Sequence, residues 1–370
     1  MKLLGPTFAE INLSALAGNI RALKQIIPAG TKFMAVVKAD AYGHGAIEIS
    51  RCAVASGVDY LSVATLKEAL ELRAEGISFP ILILSESIDS VVKEVVNHDL
   101  TQTVYSFELA QALSVAACAL KKKAKIHFKV DTGMGRIGIM DEDEAVELLQ
   151  KISRLENIVI EGIFTHFSRA GEDREFTLQQ IIKFNRLIEK LEKQGIYIPI
   201  KHAANSAAVL NFKEAAFNMV RIGLSMYGLL PQGIENSLKL IPVLSFKSKV
   251  MYIKQVSAKV PLSYSGTFVT EKESVIATIP VGYADGYSRA LSNRGQVLIA
   301  GKRFNVVGNV CMDMTLIDVT ENGVKVGDEV VLIGSQGSET ISASDIAEKI
   351  NTINYEVICG IGKRVPRVYV

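Results

Sequence analysis

The chain has 370 residues, with 41 Lys and Arg against 39 Asp and Glu and a net charge of +2. That length exceeds the size at which one hydrophobic core stops growing, so two domains are expected, and the near balance of charge argues against a nucleic-acid partner. Cys52, Cys118, Cys311 and Cys359 are too scattered for a zinc pattern and too few for a disulfide scaffold, which points to a reducing, cytoplasmic setting and no metal centre.

The opening, MKLLGPTFAEINL, lacks the apolar core of a signal peptide. Within it FAEINLSAL precedes the first barrel strand and is open to pairing with the second domain instead of the barrel, which would bring the two chain ends together. From about residue 30 to 230, β-branched runs alternate with helical patterns. The strand candidates are 33–39, 60–65, 80–85, 101–106, 124–131, 158–167, 197–205 and 218–228. Between them lie helices such as LKEALELRAEG and TLQQIIKFNRLIEKLEKQG, with apolar residues three and four apart and glycine at their ends. The longest apolar stretch, around Leu109 to Leu120, is too short and interrupted to cross a bilayer, so no membrane partner is expected. The basic run Lys121-Lys122-Lys123 after it reads as a solvated helix end.

Eight strand–helix units over roughly 200 residues predict an α/β fold with an N-terminal (β/α)8 barrel. An open doubly wound sheet competes, but no G-x-G-x-x-G follows the first strand. After Pro231 the texture changes to strand-like runs separated by turns: LSFKSKVMYIKQVS, SVIATIPVGYADG, QVLIAGKRFNVVGNV, MTLIDVT and DEVVLIGS, with one late helix, ASDIAEKINT. The expected division is a barrel over 1–235 and a mainly β domain over 236–370.

In such a barrel, chemistry collects at the C-terminal ends of strands. Lys38 closes the run Phe33-Met34-Ala35-Val36-Val37, where a desolvated ammonium costs several kcal/mol unless paired or neutralised. Either it snorkels to water or it is a Schiff-base lysine. The fifth strand runs into KVDTGMGRIG with Lys129 and Arg136, and the sixth carries His166. The seventh ends in HAANSAA with His202, Asn205 and Ser206, and the eighth holds Arg221. One polar strand end is weak; five together point to cofactor chemistry on an amino group. A lysine forms an imine with the aldehyde of pyridoxal 5'-phosphate, whose phosphate needs hydroxyls and backbone N–H groups. The loops after the seventh and eighth strands offer Ser206 and Gly223 for that purpose.

AVVKADAYGHG, GMGRIG, HAANSA, MVRIGLSMYG, PLSYSGTF, VGYADGY and NVCMDM occur together and in this order. The set strongly resembles the bacterial pyridoxal-phosphate-dependent alanine racemases over nearly the whole chain. The first motif alone is shared by a wider group of barrel enzymes and carriers; its combination with SYSGTF and VCMDM is specific.

The resemblance implies that Lys38 holds the cofactor and acts as acid and base on one face of the substrate Cα. Tyr264 is similar to the family's second base, which acts on the opposite face and comes from the partner in a head-to-tail homodimer. Racemisation needs this geometry, because the proton must leave one face and return to the other. A phenol with pKa near about 10 is a poor base at neutral pH and needs help. His166 resembles the histidine that hydrogen-bonds this tyrosine, and Arg221 the residue beside the pyridine nitrogen. Arginine can only donate there, so the ring nitrogen stays neutral, and the weaker electron sink favours racemisation over transamination.

Tyr42, Ser206, Gly223 and Tyr355 resemble the phosphate site, and Arg136 the residue that meets the phenolic oxygen and orients the substrate carboxylate. Lys129 matches a position often carbamylated to hold that arginine; chloride or another anion is the alternative. Met312, near the substrate carboxylate, and Tyr283, at the entrance, would also come from the partner subunit. Asn309 stands where many relatives have arginine, so an entrance charge is not expected there. Read without the resemblance, Tyr42, Tyr283 and Tyr355 pass as ordinary half-buried tyrosines, Met312 and Cys311 as core fillers, and Lys129 as a partner of Asp131.

The implied reaction interconverts L- and D-alanine, and the implied role is supply of D-alanine for peptidoglycan. Competing readings are a serine or broad-specificity racemase, a non-catalytic pyridoxal-phosphate carrier and a decarboxylase. A carrier has no use for a β domain bearing SYSGTF, and a decarboxylase needs no second base across the ring.

Overall fold

The computed structural model describes residues 5–85, 91–234, 238–320 and 323–370. The first strand, β1 (Phe8–Ile11), precedes eight parallel strands that close into a barrel: β2 (Lys32–Val36), β3 (Tyr60–Val63), β4 (Ile81–Ile83), β5 (Thr101–Val104), β6 (Ala124–Lys129), β7 (Ile158–Phe164), β8 (Ile200–His202) and β9 (Met219–Ile222). All eight runs expected from the sequence overlap one of these strands. They read as continuous apolar runs because helices cover a parallel sheet from outside while side chains fill the barrel inside. Met34, Tyr60, Leu82, Ile200 and Met219 pack together in that interior. β2 and β9 close the ring, with Met34 opposite Arg221.

Two details of the barrel place the site. The β6–β7 register shifts between Ile126 and His127. Gly162 lies alongside, where an added Cβ would stand 2.6 Å from the His127 ring, so glycine makes room for a buried imidazole. The other detail departs from the expected strand over 33–39: β2 stops at Val36, and Lys38 opens a turn, Lys38–Gly43, that winds left-handed with φ 53° at Ala39, Asp40, Ala41 and Tyr42. Each such L-residue costs about 1–2 kcal/mol. The turn is clamped at both ends: Glu68 Oε1 accepts from Ala39 N at 2.7 Å, and Asp40 Oδ1 from Ala46 N at 2.8 Å. The eighth run is likewise only partly strand, its second half being the 3-10 turn Leu224–Tyr227.

The remaining strands are β10 (Leu244–Lys249), β11 (Tyr252–Val256), β12 (Pro261–Leu262), β13 (Phe268–Val269), β14 (Ser274–Ile279), β15 (Gln296–Ile299), β16 (Lys302–Asn305), β17 (Thr315–Asp318), β18 (Glu329–Gln336), β19 (Glu339–Ile341) and β20 (Arg367–Tyr369). The larger sheet runs β16-β15-β18-β10-β1-β20, with β19 on β18. β1 is antiparallel to β10 and parallel to β20, so strands near the two chain ends are neighbours. β11-β14-β17 form a second sheet and β12-β13 a short hairpin, around a core of Leu262, Ile276 and Val307. By contacts the chain divides into two compact units. One gathers the residues up to Ala15, Tyr42–Gly45 and Pro242–Val370; the other comprises Leu16–Ala41 and Ala46–Ile241. Among the described residues no helix is long and apolar enough to cross a membrane.

Candidate active site

Arg221, near the end of β9, is 4% exposed and held from several sides. One terminal nitrogen donates to His202 Nδ1 at 3.0 Å; the other donates to Thr165 O at 2.9 Å, Ala203 O at 3.0 Å and His166 Nδ1 at 3.0 Å. The guanidinium lies over the Phe164 ring. Its Nε–H has no acceptor among the described residues. Burial, with Arg136 adding to it, lowers its pKa to about 9, so the group stays charged at neutral pH.

That arrangement sets the protons on the histidines. A guanidinium only donates, so His166 Nδ1 and His202 Nδ1 must be bare acceptors. Burial, reinforced by Arg221 and other nearby cations, pushes both imidazoles well below their usual pKa. Each ring is therefore neutral with its proton on Nε2. Lys38 is half-buried, and its charge reaches His166.

Lys129, the last residue of β6, is 2% exposed and donates to Val130 O at 2.6 Å. Burial first, then the Arg221 and Arg136 charges, push its pKa down to about 7, against an opposing pull from Asp131. Asp131 forms no ion pair with it among the described residues. Its oxygens accept instead from Gly133 N at 2.9 Å, Met134 N at 2.7 Å and Arg136 N at 3.0 Å. Burial alone would raise this carboxyl; those backbone donors hold it below the usual range. Asp131 thus shapes the GMGRIG turn, and Arg136 ends it with an exposed side chain.

Beyond β8 and β9, Ser206 Oγ accepts from Gly223 N at 3.2 Å and Ser225 N at 3.4 Å, while the buried Ser225 Oγ has no partner among the described residues. Lys38, Lys129, Arg136, His166, Ser206, Arg221 and Gly223 therefore all stand at or beyond the C-terminal ends of barrel strands. Cations, neutral imidazoles, hydroxyls and backbone N–H groups at one end of a barrel form a donor set that fits a phosphate-bearing anion.

The other expected residues belong to the β unit. Tyr42 and Tyr355 face each other with ring centroids 6.0 Å apart. Burial raises both phenols, Tyr355 to about 12. Tyr264, Tyr283 and Met312 are open to solvent, at 71%, 43% and 53% exposure. Tyr264 opens a short turn between Ser263 (φ 62°) and Ser265 (φ 61°). Asn309 is 8% exposed, donates from Nδ2 to Tyr264 O at 2.7 Å, and accepts at its carbonyl from Ser263 Oγ at 2.6 Å. Tyr283 N donates to Cys311 O at 3.0 Å and Ala284 N to Met312 O at 3.1 Å. Only glycine fits at 282 beside them, since a Cβ would lie 2.2 Å from Cys311 O.

Three participants escaped the motif reading. Glu68 carries a visible signal, the Thr65-x-x-Glu68 capping box, but its second arm to Ala39 is not local. His127 and Glu161 are polar residues inside strands, and only the closed barrel reveals their partners.

The fold and its strand ends define a (β/α)8-barrel protein with a separate β unit and a lysine-bearing, donor-rich mouth. Residues 11–231 match the family "Alanine racemase, N-terminal domain" and residues 243–369 match "Alanine racemase, C-terminal domain". The chain belongs to the alanine racemase family. It is 49% identical over 367 residues to the alanine racemase of Halothermothrix orenii, covering 98% of this chain and 97% of that one. Among solved structures, alanine racemase of Clostridium difficile 630 superposes with a TM-score of 0.95 at 41% identity, covering 100% of this chain and 97% of that one. A histidine racemase of Leuconostoc mesenteroides has a TM-score of 0.92 at 28% identity, covering 99% of this chain and 98% of that one.

Proposed function

We propose that the protein racemises alanine with pyridoxal 5'-phosphate as cofactor. The observation that carries the reading is the state of Arg221: charged, bonded through both terminal nitrogens and left with its Nε–H to offer. Bound at this mouth, pyridoxal phosphate supplies an aldehyde for the amino group and a ring that draws electrons from the Cα–H bond. Arg221 would meet the ring nitrogen as a donor that does not surrender its proton, a partner that would limit electron withdrawal and favour racemisation over transamination.

Lys38 anchors the cofactor and moves a proton at Cα on one face. Tyr264 of a partner subunit moves the proton on the other, and its exposure here leaves it available to a second chain. His166 has Nδ1 occupied by Arg221 and can therefore only donate from Nε2, the polarity that stabilises a phenolate on Tyr264. Ser206, the Gly223 N–H, Tyr42 and Tyr355 hold phosphate. Arg136 and the Met312 backbone hold the substrate carboxylate, and Tyr283 lines the entrance. Lys129, with its lowered pKa, takes up carbon dioxide as a carbamate that steadies Arg136, or an anion takes its place. The product, D-alanine, serves cell-wall synthesis in the cytoplasm.

The test is L-to-D alanine conversion by protein loaded with pyridoxal phosphate, with serine and histidine as competing substrates. Both Lys38→Ala and Tyr264→Phe should abolish conversion, and only the lysine variant should lose the cofactor absorbance band. A normal band with no racemisation of any small amino acid would overturn the proposal in favour of a carrier or decarboxylase.

A further inference from the structure

We infer that Glu161, His127 and His202 form a single directional hydrogen-bond chain that positions Arg221 from within the barrel. The chain starts where His202 Nδ1 accepts from Arg221 at 3.0 Å. A neutral His202 then carries its proton on Nε2, which lies 2.8 Å from His127 Nδ1. That nitrogen must accept, which places the His127 proton on Nε2, 3.2 Å from Glu161 Oε2. Every link has one donor and one acceptor only if the order is Arg221 to His202 to His127 to Glu161. Reversing any link sets two donors, or two lone pairs, against each other.

The surroundings hold the chain in this state. Burial keeps His127 neutral despite Glu161 beside it. Burial would raise the Glu161 carboxyl, but bonds from His127 and Tyr60 hold it ionised. Tyr60 Oη donates to the same oxygen at 2.6 Å and lies 2.6 Å from Thr101 Oγ1. Tyr60 and Thr101 begin their strands, so the anchor sits toward the N-terminal end of the barrel and Arg221 toward the other. His202 stacks on Phe164 at 4.7 Å and meets His127 edge-on at 4.9 Å, and Gly162 leaves space for the His127 ring. Glu161 thereby balances a buried guanidinium through two neutral rings without neutralising it. A carboxylate in direct contact would instead occupy the donors Arg221 turns toward its ligand.

The inference rests on the role proposed for Arg221, and its test separates the two. The protein has five histidines, so 15N-histidine labelling of the loaded enzyme resolves them, and long-range nitrogen–proton couplings give each tautomer. In the unsubstituted protein His127 and His202 should both carry the proton on Nε2; Nδ1–H on either ring overturns the chain. Glu161→Met removes the terminal acceptor while Arg221 still fixes both tautomers, so the His127 Nε2–H proton should shift upfield and exchange faster with water. The substitution should also lower kcat about tenfold with little change in KM, the lower end of what losing an outer-shell partner costs. Glu161→Gln keeps an acceptor and should restore both readouts. Combining Glu161→Met with His202→Leu should cost no more than either alone, because both cut one chain. An unchanged His127 Nε2–H proton in Glu161→Met, or additive losses in the double variant, overturn the inference. Tautomers as expected in a protein that racemises nothing support the chain while removing the functional reading.

Discussion

Lys129 concentrates the residue-scale chemistry. Its folded pKa of about 7 lies below the ordinary 10.5, so the unfolded chain binds more protons between those values and stability rises with pH across that window. Lys129→Met should therefore stabilise the fold by up to a few kcal/mol, most strongly below pH about 7, and thermal unfolding across pH reads this directly. A neutral amine attacks carbon dioxide, forming an N–C bond and releasing a proton. 13C-bicarbonate should accordingly give a carbamate signal above pH about 7 that Lys129→Met lacks. No signal there would assign the site to an exchangeable anion. Arg221 makes the second residue-scale prediction. Arg221→Glu should raise side transamination, seen as cofactor converted to its amine form, and unchanged partitioning would count against the weak-sink argument.

Elements decide how Lys38 is presented. The left-handed turn after it is strained, and Glu68 holds its first N–H while capping the helix Leu66–Ala74. Thr65→Ala removes only the cap and should cost about 1 kcal/mol of stability while leaving cofactor retention intact. Glu68→Ala should cost more and also weaken retention, measured by dialysis of the loaded protein; equal retention in the two variants would dismiss the clamp. Gly43 closes the turn at φ 82°, where a Cβ would stand 2.4 Å from Ile358 O. The obstacle is backbone and cannot swing aside, so Gly43→Ala should destabilise by several kcal/mol.

At the scale of the whole molecule, the proposed site needs two chains. Lys38→Ala and Tyr264→Phe each disable both sites of their own homodimer. When equal amounts are mixed through reversible unfolding, half the dimers are mixed and each holds one complete site, restoring about a quarter of the original activity. No restoration, or activity in a monomer shown by sedimentation, would sink the shared site. Asn309 joins this scale to the local one, because it holds the backbone of the tyrosine that would be lent.

The strand–helix alternation, the change to β texture after Pro231 and the chemistry at the strand ends were legible in the sequence. Each is a local pattern: apolar runs of parallel strands, turn residues, and a lysine, histidine or arginine at a run's end. The sequence by itself determined the family, the barrel with its β companion, and the residue types offered at the mouth. Only the tertiary structure decided their states. His127 and His202 are 75 residues apart, and their shared hydrogen bond exists only once the barrel closes. Little in Ala39-Asp40-Ala41-Tyr42 beyond Asp40 favours positive φ, and the bond from Ala39 N to Glu68, 29 residues away, exists only in the fold. Asn309 reads as a lost charge in the sequence and as a buried brace in the fold. Identity and periodicity travel along the chain, whereas protonation, tautomer and strain are set by what burial removes from water and by which donors the fold brings near.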